Sequence, residues 1–235
     1  MPSTGIWNKN KMRILGLIPA RGGSKSIRNK NLIDLGGRPL IAWTINSAKE
    51  SELLDVIVST DSPEIAKVAK DFGAQVPFLR PDRLSGDEIL SIDVVLHALE
   101  NIKEKYQAVL LLQPTSPFRS STDINDAIGM FNETTNVISV VDVGGNHPAR
   151  MKFIKDDLLI DPPFGEEVEN MPRQKLQPVY IRNGAIYLTN LDDLKNRTFK
   201  GSRCRALIMP KVRSLNIDSE FDLTIARAML SQGLV

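Results

Sequence analysis

The chain is poor in the features that mark secreted, membrane-embedded or nucleic-acid-binding proteins. It has one cysteine in 235 residues, Cys204, so no intrachain disulfide can form. That fits a reducing compartment. Cys204 lies beside Ala206-Leu207-Ile208-Met209 and reads as a strand residue rather than a nucleophile. No apolar run approaches membrane-spanning length. The first eleven residues are polar apart from Ile6 and Trp7 and hold no signal-peptide core. They precede Met12, and a loosely held extension is expected there. A net charge of +2 is too small to argue for a nucleic-acid surface. Aromatic residues make up only 6%, so the core must be largely aliphatic. The expectation is a cytoplasmic protein with no membrane or nucleic-acid partner, built as a single domain over 12–235.

Apolar runs alternate with helical patterns through most of the chain. Strands are expected over 13–19, 56–60, 76–79, 109–113 and 137–141. Val109-Leu110-Leu111-Leu112 is continuously apolar, as in a strand covered on both faces. Pro39 suits a first helical position, with a helix over 40–48 behind it. Asp61-Ser62-Pro63-Glu64 can cap a helix over 65–72 that Gly73 ends. A third helix, over 91–105, carries Val94, Val95, Leu99 and Ile102 on one face. Thr122-Asp123 can cap a fourth reaching about Phe131. This order implies an α/β fold with a mostly parallel sheet in three layers, whose ligands sit outside the carboxyl ends of the strands. The alternation breaks near Asp142. Residues 145–182 are too long for an ordinary loop and carry prolines at 148, 162, 163, 172 and 178, so they read as an excursion. The chain returns at 185–188 and closes with a strand over 206–209 and a helix over about 220–230.

The first strand leads into Ile18-Pro19-Ala20-Arg21-Gly22-Gly23-Ser24-Lys25, with Lys30 and Asn31 close behind. Glycines let backbone N–H groups approach an anion and the cations neutralise it, so such a loop suits a polyphosphate. Its spacing matches neither G-x-x-x-x-G-K-[ST] nor G-x-G-x-x-G. A second string, LLQPTSPFR over 111–119, leaves the most apolar strand through two prolines and places Gln113 at the strand's end. Its amide can both donate and accept. Thr115, Ser116 and Arg119 could bond a ligand or cap the next helix. Taken alone, Arg80 would be a surface cation, Ser91 a helix cap and Asn183-Gly184 a turn.

The string IPARGGSKSIRNKNL, residues 18–32, resembles the first motif of the cytidylyltransferases that activate sialic acids and related sugars, and LLQPTSPFR resembles their second. Leu79-Arg80-Pro81 followed by Ser91, and Pro172-Arg173-Gln174 followed by Arg182-Asn183-Gly184-Ala185-Ile186-Tyr187, are similar to a third and a fourth, with Arg182 shifted by one residue from its common place. The resemblance implies a Rossmann-like nucleotidyltransferase fold. Its substrates would be CTP and a nine-carbon acid (sialic, legionaminic or pseudaminic), and its products a CMP-sugar and pyrophosphate. Arg21, Ser24, Lys25 and Lys30 would hold phosphates, with Lys30 stabilising charge at the reacting one. Asn31, Arg80 and Ser91 would help hold the nucleotide. Gln113, Arg173, Asn183 and Tyr187 would face the sugar, Arg173 gripping its carboxylate. The excursion would form a homodimer contact and complete the neighbouring site.

Two departures stand out. Ser26 replaces a common glycine. Near the C terminus, where the family carries two aspartates one residue apart on a strand, this chain has Asn216-Ile217-Asp218. Mg²⁺ would then rest mainly on Asp218 and the triphosphate, with Asn216 reaching it through water and affinity reduced. Otherwise Asp218 and Ser219 simply cap the last helix. No histidine is placed as a general base: His147 lies in the excursion and His97 on a helix. Two rival readings remain. One is a same-fold enzyme for the eight-carbon acid of lipopolysaccharide, against which the QPTSP string argues. The other is a non-catalytic nucleotide binder, which Asn216 alone encourages.

Overall fold

A computed structural model describes residues 12–165 and 169–235. The expected extension over 1–11 lies outside the described residues. Strand β1, Ile14–Pro19, is the hub. On one side it pairs in parallel with β2, Asp55–Ser59, and on the other with β3, Ala108–Leu111. Helices α1 (Leu40–Lys49), α2 (Pro63–Asp71) and α3 (Ser91–Asn101) supply the crossovers. Helix α4, Ser121–Met130, leads into β4, Asn136–Asp142. The excursion follows and contains an antiparallel pair, β5 (Phe153–Lys155) and β6 (Leu158–Ile160). Strand β7, Tyr180–Asn190, then inserts antiparallel between β3 and β4, and the short helix α5, Leu191–Lys195, follows it. Strand β8, Cys204–Ile208, adds in parallel to β4, and α6, Glu220–Ser231, ends the described chain. The sheet order is β2-β1-β3-β7-β4-β8, parallel except for β7.

Alternation along the strands builds the three layers. Ile14 and Ile18 of β1 and Leu110 of β3 pack with Ile41, Ile45, Ile65 and Ile124 from α1, α2 and α4. Leu15 and Leu17 of β1 and Val109 and Leu111 of β3 face the other way, against Ile92 and Val95 of α3 and Leu194 of α5. Burial on both faces explains the unbroken apolar runs. Ser62 caps α2 by accepting from the Ile65 N–H, and Gly73 leaves that helix at φ +85°.

Four expectations need correction. Residues 76–79 form no strand: pairing at that edge is a single bridge between Ile57 and Gln75, and Pro77 has no N–H to extend it. Helix α3 stops at Asn101 rather than 105, because Ile102 turns extended and packs on the core beside Tyr106. The cap of α4 is Ser120, with Asp123 three residues on completing a reciprocal capping box. Strand β7 runs well beyond 185–188, so Asn183-Gly184 lies inside it.

Candidate active site

The carboxyl ends of β1, β2 and β3 and the opening half of β7 share one rim, and two cavities meet there. The first, about 520 Å³, is lined by the loop after β1, by Arg80, Ser91 and Gln113, and by Asp218. Four cations line it, Arg21, Lys25, Lys30 and Arg80, against the carboxylates Asp87 and Asp218. That balance favours a multiply charged anion. The second cavity, about 800 Å³, shares Ser91 and Gln113 with the first and continues past Asn183, Tyr187 and Phe199. Among the described residues its only charged lining side chains are Arg182 and Arg197.

The loop is held open by its own side chains. The Asn31 amide donates to the Arg21 carbonyl at 2.9 Å, and the Gly22 N–H donates to Asp61 at 2.9 Å. A Cβ on Gly22 would lie 3.0 Å from that of Ser62, so glycine permits the close approach to the start of α2. Ser26 is not among the residues with positive φ and carries no backbone strain in place of glycine. Arg80 is buried, donates to Ser85 and lies 3.7 Å from Asp61. Burial pushes its guanidinium below the ordinary value, with Asp61 opposing.

Asp87, which carries no distinctive sequence signal, pairs with Arg21 at 2.5 Å and Lys25 at 2.6 Å. Hydrogen bonds from Lys25 and then Arg21 hold its carboxyl below the usual range. A carboxylate thus sits between the cations expected to hold phosphate. Helix α3 begins beside them without a side-chain cap; the Asp93 N–H of its first turn donates to the Leu90 carbonyl at 3.0 Å, and Ser91 stands where the two cavities join.

Gln113 is stationed at that junction by β7. Gly184 has φ +77°, and a Cβ there would stand 2.7 Å from the Gln113 Oε1. The β4–β7 register shifts between Ile138 and Val140, leaving a bulge that Ser139 stitches together. Its hydroxyl accepts from the Ile186 N–H at 2.8 Å and donates to the Asn183 Oδ1 at 2.6 Å. The Asn183 amide nitrogen donates to Ser214 at 2.9 Å. Asn183 borders the second cavity, but its amide is spent within the protein and acts by shaping the bulge. Arg119, fully buried, donates to the carbonyls of Ala185 at 2.9 Å and Gln113 at 3.4 Å, tying the QPTSP string to β7. Burial pushes it down to about 9, with Asp123 opposing. Tyr187 lines the cavity against Phe199, and burial raises its phenol.

Arg173 stands apart. It lies on the excursion, largely exposed, 3.6 Å from Asp142, and lines neither cavity. Neither histidine reaches them: His97 packs edge-on against Phe78, and His147 bonds to Gln177 and Ala149.

Asn216 and Asp218 lie in an extended segment rather than a strand, tethered by the Ile217 N–H to the Thr115 carbonyl at 2.7 Å. Their side chains still share a face, since the Asn216 amide donates to the Asp218 carboxylate. Lys30 donates to the other carboxylate oxygen and to the Ile217 carbonyl, both at 3.1 Å. The Asn216 Oδ1 is buried without a partner. That bond turns the amide nitrogen toward Asp218 and the oxygen away, so the exposed Asp218 carboxylate is the donor that a magnesium ion sharing its remaining ligands with phosphate would take. Among the described residues no cluster of three or more His, Cys, Asp or Glu could hold a metal by itself.

Sequence reading gave no role to Asp87, whose string Leu84-Ser85-Gly86-Asp87 is only weakly distinctive, nor to Phe199 and Arg197. All three lie outside the four strings, and only the fold brings them to the rim.

Comparisons with known proteins agree with this geometry. A family model described as cytidylyltransferase matches residues 15–159. An N-acylneuraminate cytidylyltransferase of Escherichia coli is 37% identical over 92% of this chain, which spans about half (52%) of that relative's length. A CMP-N,N'-diacetyllegionaminic acid synthase of Legionella pneumophila is 34% identical, with 93% of this chain and 97% of the relative covered. A CMP:2-keto-3-deoxy-manno-octonic acid synthetase solved with CTP superposes with a TM-score of 0.71 at 15% identity, covering 94% of this chain and 99% of that one, a likeness of fold. From the loop after β1 to the QPTSP string, the chain belongs to the cytidylyltransferase family.

Proposed function

We propose that the protein transfers a cytidylyl group from CTP to a nine-carbon sugar acid of the sialic, legionaminic or pseudaminic type. The anomeric hydroxyl oxygen attacks the α-phosphorus in line, loses its proton, and pyrophosphate departs. The observation that carries this reading is the junction: a cationic cavity and an acid-free cavity meet at Ser91 and Gln113. The phosphates lie against Arg21, Ser24, Lys25 and Lys30, and the nucleoside against Asn31, Arg80 and the start of α3. Gln113 orients the acceptor hydroxyl. Lys30, 3.1 Å from Asp218, is within reach of charge developing at the α-phosphate. Magnesium held by Asp218 would offset negative charge on the phosphate oxygens.

The working unit is a homodimer. Met151, Phe153, Ile154, Leu158 and Leu159 are all more than half exposed on the excursion. An isolated two-stranded hairpin with both faces in water is barely stable. A second copy covering it would bring Arg173 toward the neighbouring acceptor cavity. Among the described residues no helix is long and apolar enough to cross a membrane. With a single cysteine, a cytoplasmic setting suits the protein.

The test is pyrophosphate release with CTP, Mg²⁺ and a panel of nine-carbon acids and the eight-carbon acid, omitting metal or sugar as controls. Release that needs CTP, metal and one nine-carbon acid is the expected result. Release with the eight-carbon acid alone, or CTP binding without release from any acid, would overturn the reading. Light scattering that shows a fully active monomer would remove the dimer.

A further inference from the structure

Five non-glycine residues among those described occupy the left-handed backbone region. Four are Asn29, Asp156, Asp157 and Asn170, types that tolerate it through short polar side chains. The fifth is Arg197, at φ +58°. It sits two residues after α5, where the chain leaves the helix and its N–H bonds back to the Leu194 carbonyl at 2.9 Å. Glycine is the usual occupant of such a position because it meets no Cβ penalty. An arginine there strains the backbone, and nothing in the turn itself needs the side chain.

The side chain has a use elsewhere. It lines the second cavity, and its guanidinium is held by Asp93 in the first turn of α3, Nη2 to Oδ1 at 2.8 Å. That single bond leaves most of its five N–H donors free, and the side chain is 52% exposed. Among the described residues no Asp or Glu lines this cavity to compete for them. Strained residues that persist beside a cavity point to a constraint from the ligand.

We propose that Arg197 is an acceptor-specificity residue, donating hydrogen bonds to an oxygen-bearing substituent of the sugar acid while Asp93 fixes its direction. This rests on the cytidyl-transfer reading above. It adds a discriminating cation that none of the four sequence strings contains and that acts on the acceptor alone.

The test compares Arg197→Gly and Arg197→Asn with the unaltered enzyme, measuring pyrophosphate release against each substrate and thermal unfolding. Both replacements suit a left-handed backbone, and neither can reach the cavity. Both should leave the melting temperature unchanged or higher and the KM for CTP unchanged, while the KM for the acid rises roughly 10–100-fold, the range for a lost charged hydrogen bond. The rise should differ among acids with different substituents. An unaltered acid KM in both variants overturns the assignment. So does a change in the glycine variant alone, which would trace the effect to backbone freedom, or a parallel loss of CTP affinity and melting temperature, which would make Arg197 structural. If the unaltered enzyme turns over none of the acids, the functional reading itself falls and takes this assignment with it.

Discussion

Replacing Gly184 with alanine tests how the acceptor side of the site is built. Two costs follow from the structure. The backbone at φ +77° is open to glycine and strained for alanine by about 1–2 kcal/mol. For a chain of this size each kcal/mol lowers the melting temperature by roughly 2–4 °C, so a fall of about 2–8 °C is expected. The new methyl would also begin 2.7 Å from the Gln113 Oε1, and ordinary contact starts near 3.4 Å, so the amide must retreat by 0.7 Å. Because Gln113 has a flexible end, the clash costs little stability and falls instead on position. Displacements near 1 Å at a reacting group cost on the order of 100-fold in rate. The kcat/KM for the acid should therefore fall about 10–100-fold, while nucleotide affinity, set by the loop after β1, stays close to the original. The decisive assay is a double-mutant cycle with Gln113→Ala. If the methyl acts through the Gln113 amide, Gly184→Ala should add little further loss of activity once that amide is gone, although the loss of melting temperature remains. Fully multiplicative losses, or a Gly184→Ala enzyme with unaltered acceptor kinetics, would refute the reasoning.

Three other outcomes are expected. Asn216→Asp supplies a second carboxylate beside Asp218 and should lower the Mg²⁺ concentration for half-maximal activity on the order of tenfold, as added ligand charge tightens such sites; an unchanged metal titration would count against a metal at this pair. Asp87→Asn removes the carboxylate that Arg21 and Lys25 share, so CTP should bind more tightly at low salt, and a weaker affinity by calorimetry would show that Asp87 supports the nucleotide directly. Burial pushes the Asp123 carboxyl up, but the bidentate bonds from Arg213 and those of Ser120 outweigh it and leave it below the usual range. A depressed folded value means the stabilisation is present above the ordinary carboxylate range, near 4, and disappears as the pH falls through the folded value. Asp123→Asn should accordingly lower the melting temperature at pH 7 far more than near pH 2, and an equal loss at both would contradict this.

Much of the first cavity was legible because its residues are local in sequence. Arg21, Ser24, Lys25, Lys30 and Asn31 all fall within one turn-rich string after one apolar strand, so sequence proximity and spatial proximity coincide. The second cavity was harder to read. Arg197 reaches the cavity only because α5 ends where it does, and Asp87 meets Arg21 across 65 intervening positions. The prolines misled in one place, since Val76-Pro77 looks like an apolar strand yet cannot pair through the proline. The expectation that Arg173 belongs to the pocket came from likeness alone. Within one chain, geometry puts it outside, on the segment with the greatest unpaired apolar surface.

The reversed direction of β7 has a consequence for how this enzyme could diversify. Because β4 runs toward the rim and β7 runs away from it, the excursion leaves and rejoins the sheet on the same side of the molecule. Both of its feet, at Val141 and Ile181, line the second cavity. Insertions, deletions or a new partner surface in this segment would be felt first by the second cavity and least by the cationic one. The fold thus separates an adaptable half from a fixed one, so that on the proposed reaction acceptor choice could drift while the nucleotide chemistry is preserved.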